Sequence, residues 1–303
     1  MAIDESNPEA DFEPQRRHLM AVAYRLVGSL AEAEDLVQEA YLRWHDTDRS
    51  TILNVRAFLS KVLVRLCLDH LKKARVRREQ YVGEWLPEPV LDDEALTAEA
   101  ASELADDLSV GLMLALERLS PLERAAFLLH DVFDLDFAEV AQTVGRTEAA
   151  CRQLAARARA HVQDSRPRFR VSRENGARIA EAFLVATRTG DVQTLTRLLA
   201  EDAVLHSDGG GKRPAALRPI PGRDKITRFL KGLASKADLT RDYLYTLARI
   251  NGQAGYLVTE PDGSVMTVAL DIRDGQIVSI YIVRNPEKLR HLHASSEDAE
   301  DQA

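Results

Sequence analysis

The sequence predicts a multidomain protein: two all-α parts followed by an α+β part. Apolar residues recur at helical spacing over about residues 11–78 and again over about 109–165. The stretch between them is acidic, contains Pro87 and Pro89, and lacks that periodicity. Past residue 240, four short strand-like runs are separated by hairpin turn signals. At 303 residues the chain is long enough for two or three compact domains, each with its own core.

In the first part, RHLMAVAYRLVG puts Leu19, Met20, Ala23, Tyr24 and Val27 at helical spacing, and Gly28 closes the helix. Ser29 and Glu32 form a capping-box signature for the next helix. There Leu36, Val37, Ala40, Tyr41 and Trp44 make an inward stripe and leave Asp35, Gln38, Glu39 and Arg43 outside. HDTDRST is a polar loop, and a third helix runs roughly from Val55 to Arg75. In the second part, Ser120-Pro121-Leu122-Glu123 supplies a cap, a proline at the first helical position and an acid two residues on. DFAEVAQTVGRTEAACRQLAARARAHV then reads as helix, turn at Gly145, and helix capped by Thr147, a helix-turn-helix. Its second helix turns Glu148, Arg152, Gln153 and Ala156 outward, while Leu154, Ala155, Ala158 and Val162 face the core. In the third part, 173–189 and 222–235 read as helices. Residues 242–250, 253–259, 264–273 and 276–284 read as an antiparallel meander turned at Asn251-Gly252, Pro261-Asp262-Gly263 and Asp274-Gly275. The tail, 291–303, is polar and expected to be disordered.

A net charge of −8 argues at first sight against nucleic-acid binding, but the charge is unevenly placed. Lys72, Lys73, Arg75, Arg77 and Arg78 form a basic cluster, whereas Glu79–Glu117 holds eleven acids and no Lys or Arg. Lys61, Arg65 and Lys72 fall near one helical face, with Asp69 beside them and Arg75 extending the row; such a face can follow the phosphates of a displaced strand. Arg157 and Arg159 can reach phosphates beside the helix-turn-helix. No apolar run approaches the roughly 20 residues a membrane helix needs. The N-terminus, MAIDESNPEADFEP, lacks the basic and apolar regions of a signal peptide, so a cytoplasmic location is expected. Cys67 and Cys151 lie far apart within helical patterns and are expected to be buried structural thiols. No metal site or cofactor is expected. GGGK lacks the spacing and the following helix of a phosphate loop, and His291 and His293 are expected to be solvated.

DLVQEAYLRW (35–44) resembles the region-two helix of extracytoplasmic-function sigma factors of the sigma-70 family. NVRAFLSKVLVRLCLDHLKKARVRRE (54–79) resembles their helix that captures and melts the −10 element, and the helix-turn-helix at 136–163 resembles sigma domain four. The third part is similar to the SnoaL-like branch of the nuclear transport factor 2-like fold, a cone of helices against a curved sheet. WLPEP (85–89) and DGGGK (208–212) mark the subgroup of sigma factors that carries this extension, and NPEKL (285–289) resembles a motif near that subgroup's C-terminus.

The resemblance implies core RNA polymerase and promoter DNA as partners. It divides the chain into region 2 (11–78), an acidic linker (79–108), region 4 (109–165) and a SnoaL-like domain (170–290). It places polymerase binding on Asp35, Gln38, Glu39 and Arg43. The −10 element falls to Lys61, Arg65, Asp69, Lys72, Arg75 and Asn54, the last closing a base-pocket loop at 46–54. The −35 element falls to Glu148, Arg152, Gln153, Ala156, Arg157 and Arg159. The linker acids, among them Glu84, Glu88, Asp92, Asp93, Glu94, Glu99, Glu103, Asp106 and Asp107, suit the electropositive channels of the polymerase. The two motifs are expected to meet, with Trp85, Leu86 and Pro87 lying on Asp208, Gly209, Gly210, Gly211 and Lys212. His206, Asp208 and Asp271 are acid–base candidates by residue type only, and no enzymatic role is expected. A small-molecule or protein regulator of the C-terminal domain stays open. The reading from another class is a SnoaL-type enzyme or sensor with the helical portion as its DNA-binding adaptor.

Overall fold

The computed structural model of the chain describes residues 8–92, 109–162, 171–236 and 243–292. They fall into two compact units. One holds the chain up to Glu79 and resumes at Leu112 through the second helical part; the other holds the described residues of Gln80–Gly111 and the C-terminal part.

The first unit opens with α1 (Pro8–Val27), α2 (Leu30–His45) and α3 (Val55–Glu79). Ser29 caps α2, its Oγ accepting from the Glu32 amide at 3.3 Å. Leu36, Val37, Ala40 and Trp44 are buried against α1 and against Leu59, Leu63, Val64 and Cys67 of α3. Helix α1 begins about two turns earlier than its apolar spacing predicts and runs through Pro14. Tertiary contacts hold those turns: the Trp44 indole donates to the Pro8 carbonyl at 2.8 Å, and Phe12 meets Tyr41 edge-on at 5.0 Å. Cys67 and Cys151 are free and buried as expected, and burial pushes the Cys67 thiol pKa up.

The unit continues with α4 (Val110–Glu117), α5 (Pro121–Phe127), a π turn over Leu128–Val132, α6 (Phe137–Val144) and α7 (Glu148–Val162). Capping boxes start α5 at Ser120/Glu123 and α6 at Asp136/Glu139, the second unread in the sequence. Gly145 ends α6 in the left-handed conformation, φ 68°. Leu154, Ala155, Ala158 and Val162 of α7 are buried, as its spacing predicts.

Arg124 of α5 ties the two helical groups together. It is buried, and its guanidinium donates to the carbonyls of Leu116 (2.8 Å) and Leu26 (2.6 Å) and pairs with Glu117 at 2.6 Å. Burial lowers its pKa to about 9, which leaves it charged near neutrality. Close by, His18 meets the Phe133 ring edge-on at 5.2 Å and Arg25 lies over it at 5.1 Å.

The second unit is built from α8 (Arg173–Thr189), α9 (Val192–Leu198), β1 (Leu199–Asp208), β2 (Ile220–Pro221), α10 (Arg223–Lys236), β3 (Leu244–Ile250), β4 (Gln253–Thr259), β5 (Val265–Arg273) and β6 (Gln276–Val283). The sheet order is β2-β1-β6-β5-β4-β3. The meander β3–β6 is antiparallel as predicted, but the sheet is mixed, because β1 joins it parallel to β6. Register shifts at Leu199/Val204 and Asp271/Ile272 mark irregularities of the kind that bend a sheet. Phe183, Leu195, Ile226 and Leu230 from the helices pack on Leu205, Val268, Leu270 and Ile280 of the sheet. This is the helix-plus-curved-sheet cone that the sequence resemblance implies. Among the described residues, no helix is long and apolar enough to cross a membrane. Linker acids from Asp93 to Asp107 and the tail from His293 lie outside the described residues.

Replacing Arg124 with Ala removes a buried cation from beside Glu117 and the guanidinium donors from the carbonyls of Leu116 and Leu26. The expected loss of stability is about 3–5 kcal/mol in urea unfolding, with much of it recovered by Arg124→Met combined with Glu117→Leu.

Candidate functional site

Asp208 closes β1 with no exposed surface, so its carboxylate must be satisfied from within. One oxygen accepts from the Tyr81 hydroxyl at 2.6 Å and the Gly210 amide at 3.0 Å. The other accepts from the Leu86 amide at 2.9 Å and Lys288 Nζ at 2.7 Å. Lys288 also donates to the Leu86 carbonyl and sits 4.1 Å from the Trp85 ring centre and 5.0 Å from that of Tyr81. Asn285 Nδ2 donates to the Tyr81 oxygen at 2.7 Å. Burial, and then the bond to Asp208, push the Tyr81 phenol pKa up, so it stays a donor. Gly209 closes the loop, its carbonyl accepting from Lys212 and Arg213 at 2.9 and 3.1 Å. A Cβ on Gly210 (φ 58°) would stand 2.3 Å from Asn285 Nδ2, and one on Gly211 (φ 71°) 3.1 Å from Val82.

The rest of the linker follows the same domain outward. Leu86, Pro87, Pro89 and Val90 are buried, whereas Trp85 is only half-buried. His206 donates to Glu84 at 2.8 Å and stacks on Tyr281 at 5.2 Å. His291 donates from Nε2 to the Pro89 carbonyl at 2.8 Å. This corrects the expectation that His291 is solvated; His293 lies outside the described residues. Val90 and Asn251 exchange bonds, Val90 N–H to Asn251 Oδ1 at 3.1 Å and Asn251 N–H to Val90 O at 2.7 Å. Leu91 bridges Ile250, and the Asp92 amide donates to the Arg249 carbonyl at 3.1 Å. The Asp92 carboxylate accepts from Arg249 Nε at 2.7 Å and Gly252 N at 2.9 Å. The linker therefore makes a single antiparallel bridge, flanked by further backbone bonds, to edge strand β3. Lys212, expected at this interface, pairs with Glu287.

Five participants went unread as individuals: Tyr81, Arg249, Asn251, Asn285 and Lys288. NPEKL, already singled out, carries Asn285 and Lys288. Asn251 had registered only as half of a turn signal.

In the helical unit, Asp35, Gln38 and Arg43 are exposed and Glu39 is half-buried, with Arg43 on Glu39 at 3.0 Å. On α3, Arg65, Asp69 and Lys72 are exposed and Lys61 is half-buried. The Lys72–Asp69 bond at 2.8 Å holds the Asp69 carboxyl below its usual range. The side chain of Arg75 lies outside the described ones. Asn54 caps α3, accepting from the Ala57 amide at 3.0 Å, and its neighbour Leu53 is fully exposed. On α7, Glu148, Arg152, Gln153, Ala156, Arg157 and Arg159 are all exposed. Arg152 pairs with Glu148, Arg157 with Glu123 and Arg159 with Asp131, each at 2.7 Å.

Sigma-70 region 2 matches residues 12–77, and sigma-70 region 4 matches residues 109–162. Over 289 residues the chain is 41% identical to the ECF RNA polymerase sigma factor SigJ of Mycobacterium tuberculosis (strain ATCC 25618 / H37Rv), with 92% of each chain covered. The chain belongs to the ECF sigma factor family. Its likeness extends to the probable ECF RNA polymerase sigma factor SigI of the same strain, 31% identical over 94% of this chain and 96% of that one. The crystal structure of Mycobacterium tuberculosis SigJ superposes with a TM-score of 0.75 at 38% identity, covering 93% of this chain and 98% of that one. As an ECF sigma factor the chain serves promoter-specific transcription initiation with RNA polymerase. The α1–α3 group carries region 2, and α4–α7 carry region 4.

Asp208→Ala leaves Lys288 buried without its carboxylate and is expected to destabilise the cone by about 3–5 kcal/mol. In hydrogen exchange, residues 80–92 should lose protection ahead of β4–β6. Uniform loss across the cone would contradict a local role.

Proposed function

We propose that this sigma factor is restrained by its own C-terminal domain, which holds the linker between regions 2 and 4. The observation that supports this reading is the buried Asp208 carboxylate, which accepts from Tyr81 and Leu86 of the linker and from Lys288 of the cone. Residues 79–108 must span from region 2 to region 4 in a transcribing complex, so a linker fastened over 81–92 limits the arrangements those regions can take.

The energy scale suits regulation rather than permanent closure. Leu86 and Val90 are fully buried, and each such side chain contributes about 1.5–3 kcal/mol. Moving a two-state equilibrium from 1:99 to 99:1 takes about 5.5 kcal/mol, which polymerase binding can supply. No enzymatic step is part of this reading.

The partner faces are assigned as follows. Asp35, Gln38, Glu39 and Arg43 bind core polymerase from the outer side of α2. Asn54, Lys61, Arg65, Asp69, Lys72 and Arg75 take the −10 strand, with exposed Leu53 available to pack on an extruded base. Glu148, Arg152, Gln153 and Ala156 face −35 bases, and Arg157 and Arg159 reach flanking phosphates. The pairs to Glu123 and Asp131 involve exposed arginines, and such pairs are worth about 0–1 kcal/mol, so phosphates can displace them.

In vitro transcription with core polymerase on a mapped cognate promoter tests the proposal. Asp208→Ala and Leu86→Ala are expected to shift activity in the same direction by about 5-fold or more. The double variant should give no more than the larger single effect; additive effects would contradict a shared interface.

A further inference from the structure

Within the second unit, the cone holds a partly open cavity of about 370 Å³ that the linker contact does not use. Small-molecule sites occupy roughly 300–1,000 Å³ and are mostly apolar with a few placed polar groups. This cavity fits that description. Phe183, Phe229, Tyr243, Tyr245, Tyr256 and Met266 supply much of its wall, a set of ring faces and one adaptable thioether. The phenol pKa values of Tyr245 and Tyr256 are raised chiefly by burial, so both rings stay neutral.

Few polar groups line it, and its acid, Glu260, is paired with an arginine. Glu260 and Arg284 neutralise each other, and Arg284 also donates to the Pro214 carbonyl at 2.9 Å. Arg188 lies over the Tyr245 ring at 4.4 Å. The Thr187 hydroxyl is buried and makes no hydrogen bond among the described residues. A buried hydroxyl without a partner costs about 1–3 kcal/mol, which a ligand oxygen would relieve. The cone's acid–base candidates lie elsewhere. Asp208 and His206 hold the linker, Asp271 bonds Arg273 at 2.9 Å, and none of the three lines the cavity. The arrangement is that of a binding site.

The loop that forms one wall also seats the linker. Ser207 and Pro214–Ala216 line the cavity, and the same residues line a surface recess with Val82 and Gly83 of the linker. Val82 in turn rests on Gly211.

We propose that the cone binds a small, neutral, largely aromatic molecule bearing one carbonyl or hydroxyl oxygen, and that its occupancy is transmitted through loop 209–217 to the linker. The transmission rests on the linker reading given above; the binding site does not.

The probe is prodan, a neutral, environment-sensitive bicyclic aromatic ketone, titrated into the full chain beside anionic 2-naphthoate. Expected are saturable one-to-one binding with blue-shifted emission, weakening of about 5-fold in Thr187→Val, and loss of binding in Leu233→Trp at the cavity wall. Thr187→Val removes only an unpartnered hydroxyl, and Leu233 is 44% exposed, so both variants should keep the melting temperature of the parent. Absence of saturable binding, equal binding by both variants and the parent, or tighter binding of 2-naphthoate than of prodan would overturn the site. Hydrogen exchange over residues 80–92 should change with prodan in the parent but not in Leu233→Trp; unchanged exchange in the parent would overturn the transmission. The linker reading fails separately if Asp208→Ala leaves that exchange unaltered without prodan.

Discussion

A carboxylate withdrawn from water must gather donors, and the end of β1 supplies too few. Asp208 obtains one from its own loop, at Gly210, and one from the C-terminal turn, at Lys288. The remaining two, the Tyr81 hydroxyl and the Leu86 amide, come from a segment more than a hundred residues earlier in the chain. Without that segment the cone would hold a buried charge with part of its hydrogen bonding unmet. The linker is thus part of the cone's folded structure, and the compact unit that contains the cone also contains residues 80–92.

That dependence explains the composition around it. The loop after Asp208 passes so close to Asn285 and Val82 that a side chain at Gly210 would collide with Asn285 and one at Gly211 would crowd Val82. Leu86, with no exposed surface, is the apolar anchor; Trp85 stays half-open beneath the Lys288 ammonium. The linker acids take specific partners: Glu84 bonds His206, and Asp92 bonds Arg249 and the Gly252 amide. Two of the linker's acids thus find complementary donors within the same compact unit.

The helical half was largely legible because period and caps are local signals. Ser29, Ser120 and Gly145 mark boundaries within one turn, and the exposed set on α7 follows from 3.6-residue spacing. The first turns of α1 were not legible, since a proline-containing acidic stretch becomes helical only through Trp44 and Tyr41. Strand β1 was missed because Glu201 and Asp202 interrupt its alternation and its parallel partner, β6, lies some seventy residues on. Arg124 is one charge within a helical pattern, and nothing nearby in sequence announces that it will bond the carbonyl of Leu26. At the linker, motifs located Asp208 and Leu86 but not Tyr81, because a hydroxyl that pairs across 127 residues leaves no local trace.

In the proposed restraint the linker is fastened in the free protein and released for transcription. The most direct measurement is residue-resolved hydrogen exchange at the amides of Leu86, Val90 and Asp92, whose acceptors are Asp208, Asn251 and Arg249. It should be recorded for the free sigma factor and for its complex with core polymerase and promoter DNA. Expected are protection of all three in the free protein and its loss in the complex while β4–β6 remain protected. Free exchange before polymerase is added, or full protection retained in an initiating complex, would contradict it.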